Sequence, residues 1–430
     1  MKKSLLLAVC AACVTFVAFA QVLKPFSPDN VKSTGMDAGR LARIDEVFKE
    51  YIEKGWIAGG TVIAARDGQI IYQKAFGYSN ADTKTPSKND DIFRIASQTK
   101  AITSVAVMIL LEEGRLLLDD PISKYIPAFA KPQVLDKFNA EDSSYTTIPA
   151  KSEITIRQLL SHTSGLSYAQ IGSREANAIY YKNDVTAGIG VEPGRMLATD
   201  MLKVAKLPLL HHPGERYTYG LNTDVLGYLV EVVSGKTLDQ FFREKIFDPL
   251  GMKDTWFYLP ADRHNRLVAL HVEDSLKRVK AETKSINRNG TWIVDYPKTK
   301  GTYFSGGAGL SSTAYDYAVF LEMLRNGGIY NGRRIISQNS VDMMTQNQIG
   351  SIERSPYEKF GLGFGIITDY GSGKLGLSPG SYSWGGAFSS TYWVDPKERI
   401  IGQVFLNQMP ISRGDIHDKF KVLLYSAILK

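Results

Sequence analysis

Residues 39 to 54 place Leu41, Ile44, Val47, Phe48 and Ile52 at helical spacing and end near Gly55, which predicts an N-terminal helix. The next two runs, Gly60–Arg66 and Gln69–Ala75, have strand character and are joined by Asp67-Gly68, a strong short-range hairpin signal. Helical spacing then dominates the middle of the chain, over residues 98–113, 156–160, 199–206, 223–234, 237–247 and 314–325, with Gly and Pro as punctuation. Strand character returns over 360–368, 382–394 and 399–407, the last two connected through Asp395-Pro396-Lys397-Glu398. An amphipathic helix from about Gly414, carrying Phe420, Val422, Leu423, Leu424 and Ile428, closes the chain. Strands near both ends around a helical middle predict an α+β fold. One antiparallel sheet is assembled from the two ends, flanked by N- and C-terminal helices, and a mainly helical lobe is inserted into it. The expected boundaries are a sheet lobe of about 21–96 and 300–430 and a helical lobe of about 97–299, together one domain over 21–430. A site for chemistry belongs in the cleft between the lobes.

The stretch Ser97-Gln98-Thr99-Lys100 opens that insertion and carries the most chemistry. A serine three residues before a lysine shares a helical face with it, so a nucleophile stands beside a base. Ser97 sits where the helix leaves unpaired N–H groups and a positive dipole end, both favourable to negative charge on a reacting oxygen. Read alone, the pair is equally an N-capping serine followed by a solvent-facing lysine. The helix that follows, Ala-Ile-Thr-Ser-Val-Ala-Val-Met-Ile-Leu-Leu from Ala101, is apolar nearly all round and leaves Lys100 little solvated face to occupy. The chain holds no second Ser-x-x-Lys.

Composition narrows the classes. A chain of 430 residues, 44% apolar, can bury a large core. Met1-Lys2-Lys3, the apolar run Leu5 to Val17 and Ala18-Phe19-Ala20 have the three regions of a secretory signal peptide over residues 1–20, which predicts export, to the periplasm, and cleavage after Ala20. Lipid attachment at Cys10 or Cys13 is the lesser alternative. Both cysteines lie in that segment, so the mature chain has no thiol for disulfides, thiolate catalysis or cysteine metal sites. The formal charge of +7 becomes +5 without Lys2 and Lys3, spread among both signs. The densest basic stretch, Lys277 to Lys300, is interrupted by acidic residues and reads as a solvated loop, so no nucleic-acid partner is expected. No further run reaches membrane-spanning length, and no stable span is expected after signal cleavage. Oligomeric state is not encoded in any of these features.

A hydrolase built on Ser97 needs a group that hands protons to a leaving atom. Tyr219, in Pro213-Gly-Glu-Arg-Tyr-Thr-Tyr-Gly-Leu-Asn222, is the candidate, since a phenol near a lysine can donate or accept. Outside the Ser97 context, Tyr217 and Tyr219 read as ordinary core or surface aromatics, and Asn222 as a helix N-cap. Ser383-Trp384-Gly385-Gly386-Ala387 begins a strand whose glycines let a ligand approach the backbone, or else mark a bend or bulge. The N–H groups of Ser97 and Ala387 would then form a pair of oxyanion donors.

Taken in order, Phe93-Arg-Ile-Ala-Ser-Gln-Thr-Lys100, Leu159-Leu-Ser-His-Thr-Ser-Gly-Leu166, Pro213-Gly214 to Tyr219 with Asp224-Val-Leu-Gly-Tyr-Leu-Val-Glu231, Gly306-Gly-Ala-Gly-Leu-Ser-Ser-Thr313 and Trp384-Gly-Gly386 resemble the serine β-lactamase-related superfamily over nearly all of the mature chain. The nearest resemblance is to its class C-like branch, which holds family VIII carboxylesterases, class C β-lactamases and D-stereospecific peptidases. The resemblance implies a β-lactamase/DD-peptidase-like fold with no cofactor. It implies Ser97 as the acylated nucleophile, Lys100 and Tyr219 as the acid/base pair, an oxyanion hole from Ser97 and Ala387, and substrate contacts from Trp384, Gly385, Gly386, Leu221 and Asn222.

Two departures bear on substrate. The β-lactamase pattern is Tyr-x-Asn, whereas here Gly220-Leu221 separates Tyr219 from Asn222, which places the usual amide contact in question. The third β-lactamase motif is Lys-Thr-Gly, and Trp384 stands where the lysine would, removing a cation suited to a substrate carboxylate. Trp-Gly-Gly resembles family VIII esterases and tilts the expectation toward short neutral esters, with β-lactams and D-Ala-D-Ala or other D-amino-acid peptides as alternatives. A non-catalytic penicillin- or peptidoglycan-binding protein is the remaining class. A nucleophile elbow at Gly376-Leu-Ser378-Pro-Gly380 fails because Pro379 has no N–H for an oxyanion. The six histidines, His162, His211, His212, His264, His271 and His417, show no metal-binding spacing, so no metal is expected.

Overall fold

The computed structural model describes residues 22–283, 285–287 and 291–429, so the expected signal peptide lies outside the described residues. Its centre is an eight-stranded antiparallel sheet whose strands come from both ends of the chain, as the hydrophobic pattern predicts. From one edge to the other run Glu358–Phe360, Gly365–Ile367, Tyr382–Gly386, Ser390–Asp395, Ile400–Phe405, Gly59–Arg66, Gln69–Asn80 and Thr85–Pro86. Gly59–Arg66 pairs with Gln69–Asn80 on one side and Ile400–Phe405 on the other, closing the two chain ends on each other. The Asp67-Gly68 connection has φ of 52° and 70°, the two left-handed residues of a type I′ turn whose twist matches that of the strands.

Alternation along the strands divides the apolar side chains between two layers. Val62, Ala64, Trp393, Ile400 and Val404 face Phe48 of Arg43–Glu53 and Phe420 and Leu424 of Ile416–Ser426, the N- and C-terminal helices. Ile63, Ala65, Tyr392, Ile401 and Phe405 face the helix Ala314–Arg325 through Tyr317, Phe320 and Leu321. That second core continues without a break into the helical region, where Thr99–Glu112 packs on Asn222–Ser234. Thr99–Glu112 is buried from Thr99 through Leu110, so the helix that follows Ser97 is surrounded by protein over that stretch.

Several boundaries differ from the sequence reading for identifiable reasons. The N-terminal helix is split at Ala42 into Ala38–Leu41 and Arg43–Glu53. The run over 360–368 is a hairpin rather than one strand, because Gly363 has φ of 97° and turns the chain. The run over 382–394 is likewise two strands, reversed near Ser389 with φ of 60°. Residues 237–247 form a short helix, Leu238–Phe242, and then a wider π-type turn, Arg243–Phe247. The helical lobe also contains strand pairs that the pattern did not signal, such as Gln133–Phe138 with Tyr145–Pro149. Part of the basic stretch read as a loop is a strand, Val279–Ala281, paired with His271–Glu273, while residues 284 and 288–290 lie outside the described residues. No helix among the described residues is long and apolar enough to cross a membrane.

The inner core predicts a sensitive position. Phe405 is fully buried, with its ring 5.6 Å from that of Phe93 and 6.1 Å from that of Tyr317. Phe405→Ala should lower unfolding free energy by about 3 to 5 kcal/mol, since the cavity it leaves is walled by strands and cannot collapse. Urea unfolding followed by fluorescence reads the change, and a loss under about 1 kcal/mol would mean that the site repacks.

Candidate active site

Ser97 lies in a one-turn 3₁₀ segment, Ala96–Gln98, that leads into Thr99–Glu112. The residue before it, Ala96, is fully buried with φ of 43°, a backbone region that costs a non-glycine residue free energy and persists only where its surroundings impose it. The strand Tyr382–Gly386 imposes it from one side. A Cβ on Gly386 would stand 2.3 Å from the carbonyl oxygen of Ile95, so only glycine allows this strand to lie against the Ser97 turn. Pairing of Tyr382–Gly386 with Gly365–Ile367 reaches only to Ser383, which leaves Trp384, Gly385 and Gly386 unpaired on that edge.

Two side chains meet at the Ser97 hydroxyl. The Tyr219 hydroxyl donates to Ser97 Oγ at 2.8 Å, and Lys100 Nζ donates to the same oxygen at 3.3 Å. Lys100 Nζ also donates to Tyr168 Oη at 2.8 Å and to the Gly307 carbonyl at 2.7 Å, which engages all the donors that an ammonium carries. Lys100 is 2% exposed, and its nitrogen lies 4.8 Å from the Tyr219 ring centroid. Beneath it, the fully buried Asp224 accepts from Ser305 Oγ at 2.6 Å and from the Gly307 N–H at 3.4 Å. Burial pushes the Asp224 carboxyl up, opposed by the charge of Lys100. Burial likewise holds the Tyr168 hydroxyl far above the ordinary phenol range, so it stays protonated.

The cleft that opens over Ser97 has a volume of about 440 Å³ and is lined by Tyr219, Trp384, Gly385 and Ala387, with Ile171 at its rim. The two rings that line it, Tyr219 and Trp384, are backed by others. Tyr219 lies 5.5 Å from Trp384 and 4.8 Å from His162, and Phe360 lies 5.2 Å from Trp384. Of the residues singled out in the sequence, Ser97, Lys100 and Tyr219 are brought into hydrogen-bond contact, and Trp384, Gly385 and Ala387 line the cleft beside them, with Gly386 packed on the Ser97 turn.

Leu221 and Asn222 are not brought there. Both are fully buried. The Leu221 N–H donates to the Ser167 carbonyl at 3.1 Å, and a Cβ on Gly220 would be 2.2 Å from the Leu166 carbonyl oxygen, so the chain turns inward directly after Tyr219. Asn222 then begins the helix facing the interior, where its amide donates to His162 Nδ1 at 2.8 Å and accepts from the Ser164 hydroxyl. The Asn222 amide orients His162 behind Tyr219 and does not face the cleft. Sequence reasoning missed Tyr168, Asp224 and Gly307 as partners of the lysine. The runs that contain Asp224 and Gly307 were visible as signatures, but nothing in local spacing signals that Tyr168 reaches Lys100. Ser378 lies elsewhere, its N–H donating to Asp395. Among the described residues no cluster of His, Cys, Asp and Glu could hold a metal ion.

The His162 contact has a pH consequence. Burial pushes its imidazole well below the usual range, and Lys100 and Arg354 add to the effect. In the unfolded chain it protonates below about pH 6.5, whereas in the folded protein it stays neutral, so stability is lost as pH falls through that value. His162→Gln should remove about one proton from the uptake on unfolding near pH 5.5, a slope change of up to about 1.4 kcal/mol per pH unit. An unchanged slope would show His162 to be protonated in the fold.

Comparison with known proteins gives a consistent picture. A family model described as Beta-lactamase matches residues 44–426. Esterase EstB of Burkholderia gladioli is 30% identical over 370 residues, covering 84% of this chain and 88% of that protein. A putative D-alanyl-D-alanine carboxypeptidase of Escherichia coli K12 is 27% identical over 403 residues, covering 90% and 85%. Among solved structures, EstCE1, described as a hydrolase with promiscuous acyltransferase activity, superposes with a TM-score of 0.77 at 27% identity, over 90% of this chain and 99% of that one.

Proposed function

The chain belongs to the beta-lactamase family, and from the geometry of its cleft we propose that it is a serine hydrolase forming an acyl-enzyme on Ser97, with short neutral carboxylic esters as its substrates. The observation that carries the reading is the contact of Ser97 Oγ with both Tyr219 and Lys100, beside the strand Tyr382–Gly386 that carries Trp384. Two chemical requirements are met together. A weak nucleophile has a titratable pair within hydrogen-bond reach, and the Trp384 indole gives the cleft beside it an apolar face against which an acyl or leaving group can rest.

In acylation the Lys100–Tyr219 pair acts in the form that has lost one proton: Ser97 Oγ attacks the ester carbonyl carbon while its own proton passes to that vacant place on the pair. The negative charge that develops on the carbonyl oxygen is received by the N–H groups of Ser97 and Ala387. The bond to the leaving alkoxide then breaks, and that oxygen takes the proton held by the pair. In deacylation, water attacks the same carbonyl carbon and gives its proton to the pair, which returns it to Ser97 Oγ as the acid departs. Tyr168 and Gly307 hold Lys100 in place throughout, at 2.8 and 2.7 Å. Export with removal of residues 1–20 belongs to the same proposal.

The competing activities share the nucleophile and differ in substrate. A β-lactam or a D-amino-acid peptide presents a carboxylate that a strand lysine would bind, and here Trp384 stands in that place. Loss of such a charge-assisted hydrogen bond costs about 1.5 to 3 kcal/mol, roughly ten- to a hundredfold in transition-state binding. EstB and EstCE1 carry names of esterase and hydrolase activity, which favours the ester reading, and the carboxypeptidase name keeps the peptide in the panel.

Two measurements test the proposal. A fluorophosphonate should leave an adduct on the Ser97 peptide by mass spectrometry, absent in Ser97→Ala, and Lys100→Ala or Tyr219→Phe should slow acylation by roughly a hundredfold or more. Adduct formation that survives Ser97→Ala removes the nucleophile from the scheme. In a panel of 4-nitrophenyl butyrate, a cephalosporin and a D-Ala-D-Ala peptide, kcat/KM for the ester should exceed the others by about a hundredfold. A cephalosporin turned over faster than the ester would make the protein a β-lactamase.

A further inference from the structure

Trp384 removes a cation from the strand, yet the cleft is not without one. Arg354 lines it, with its guanidinium carbon 5.2 Å from the Trp384 ring centroid, 5.4 Å from that of Tyr217 and 5.5 Å from that of Phe360. The side chain is 15% exposed. An arginine packed among three rings is held both by their electron-rich faces and by the planar contact, so its position is settled before any substrate arrives. Such a guanidinium is a ready two-pronged receptor for a carboxylate.

That receptor is already occupied. Glu358, which begins the strand Glu358–Phe360, pairs with Arg354 and lines the same cleft as Ser97. A substrate carboxylate arriving here must share the guanidinium with Glu358 against like-charge repulsion, or displace Glu358 and leave it part-buried without its partner. Both are costly. A neutral group pays neither cost. We propose, on the basis of the ester-hydrolase reading, that Arg354 and Glu358 form a charge gate in the cleft. It turns away substrates bearing a carboxylate close to the reacting carbonyl and admits neutral ones. Specificity against anions therefore has two sources, the absence of a strand lysine and the internal neutralisation of the arginine that stands near its place. Lys421, from the C-terminal helix, also lines the cleft and pairs with Asp418 at 3.3 Å, which makes it the competing source of any affinity for anions.

Glu358→Gln removes the masking charge and keeps the shape. Dimethyl glutarate and the monomethyl glutarate anion share a carbon skeleton and differ in charge, and ligand-observed NMR on the Ser97→Ala protein reads their affinities without turnover. The gate predicts that adding Glu358→Gln raises the affinity ratio of monoanion to diester by about tenfold or more. Adding Arg354→Met as well should return the ratio to its starting value. A ratio that moves less than about twofold with Glu358→Gln overturns the gate. A gain that survives Arg354→Met also overturns it and assigns the anion affinity to Lys421. With Ser97 intact, kcat/KM for mono-4-nitrophenyl glutarate relative to 4-nitrophenyl butyrate should move in the same direction. Absence of turnover for both esters in the wild-type protein refutes the hydrolase reading, while the affinity ratio still decides the gate.

Discussion

Lys100 is a charged side chain buried to 2% exposure, and the surrounding structure is arranged around the need to satisfy it. Withdrawing an ammonium from water costs several kcal/mol unless every donor finds an acceptor. Its acceptors come from three stretches remote in the chain: Ser97 on its own helix, Tyr168 after the turn at Gly165, and the Gly307 carbonyl. Asp224 draws in a fourth by accepting from the Gly307 N–H. The glycine loop can approach only because it lacks side chains, since a Cβ would come within 2.5 Å of the Thr223 carbonyl oxygen at Gly306 and 2.3 Å of Asp224 Oδ2 at Gly307. The lysine's requirement thus fixes the distance between the nucleophile helix and the Asn222–Ser234 helix.

The sheet supplies the other half of the site by a backbone route. Closing the two ends of the chain through Gly59–Arg66 and Ile400–Phe405 sets where Tyr382–Gly386 lies, and Gly386 packs it on the carbonyl of Ile95. The oxyanion donors proposed at Ser97 and Ala387 would then be held by main-chain packing, which is stiffer than side-chain placement and suits groups that must meet a developing charge without reorganising. The left-handed Ala96 is the local strain that this packing sustains.

Much of this was legible in the residues themselves. The strand character of Gly60–Arg66 and Gln69–Ala75, the Asp67-Gly68 turn and the buried helix after Ser97 signal sheet, hairpin and the place of Ser97 through local rules, and Ala314–Arg325 matches its pattern to the residue. The failures share one cause. Helix or strand character says little about where a glycine reverses the chain, so Gly363 concealed a hairpin within an apolar run. The family resemblance implied a substrate contact for Asn222, while the extra residue after Tyr219 put that contact in question, and the structure has Asn222 in the helix interior, facing His162. Tyr168, Arg354 and Glu358 act through partners far away in sequence or across the cleft, and no local spacing encodes those meetings.

The wall of the cleft adds a constraint on selectivity. Tyr219 and Trp384 line it and are backed by the rings of Phe360, Tyr217 and His162, and burial keeps His162 uncharged among them. An apolar wall distinguishes acyl groups mainly by area and shape, about 1 to 3 kcal/mol per methylene at best, and less where the cleft is open to solvent. Charge is read far more steeply, because a carboxylate must shed water and find a partner that is already engaged. With the proposed charge gate, a cleft of this composition would be tolerant of chain length and intolerant of anionic charge. The first property comes from the rings of Tyr219 and Trp384, and the second from a guanidinium on Arg354 that Glu358 already engages.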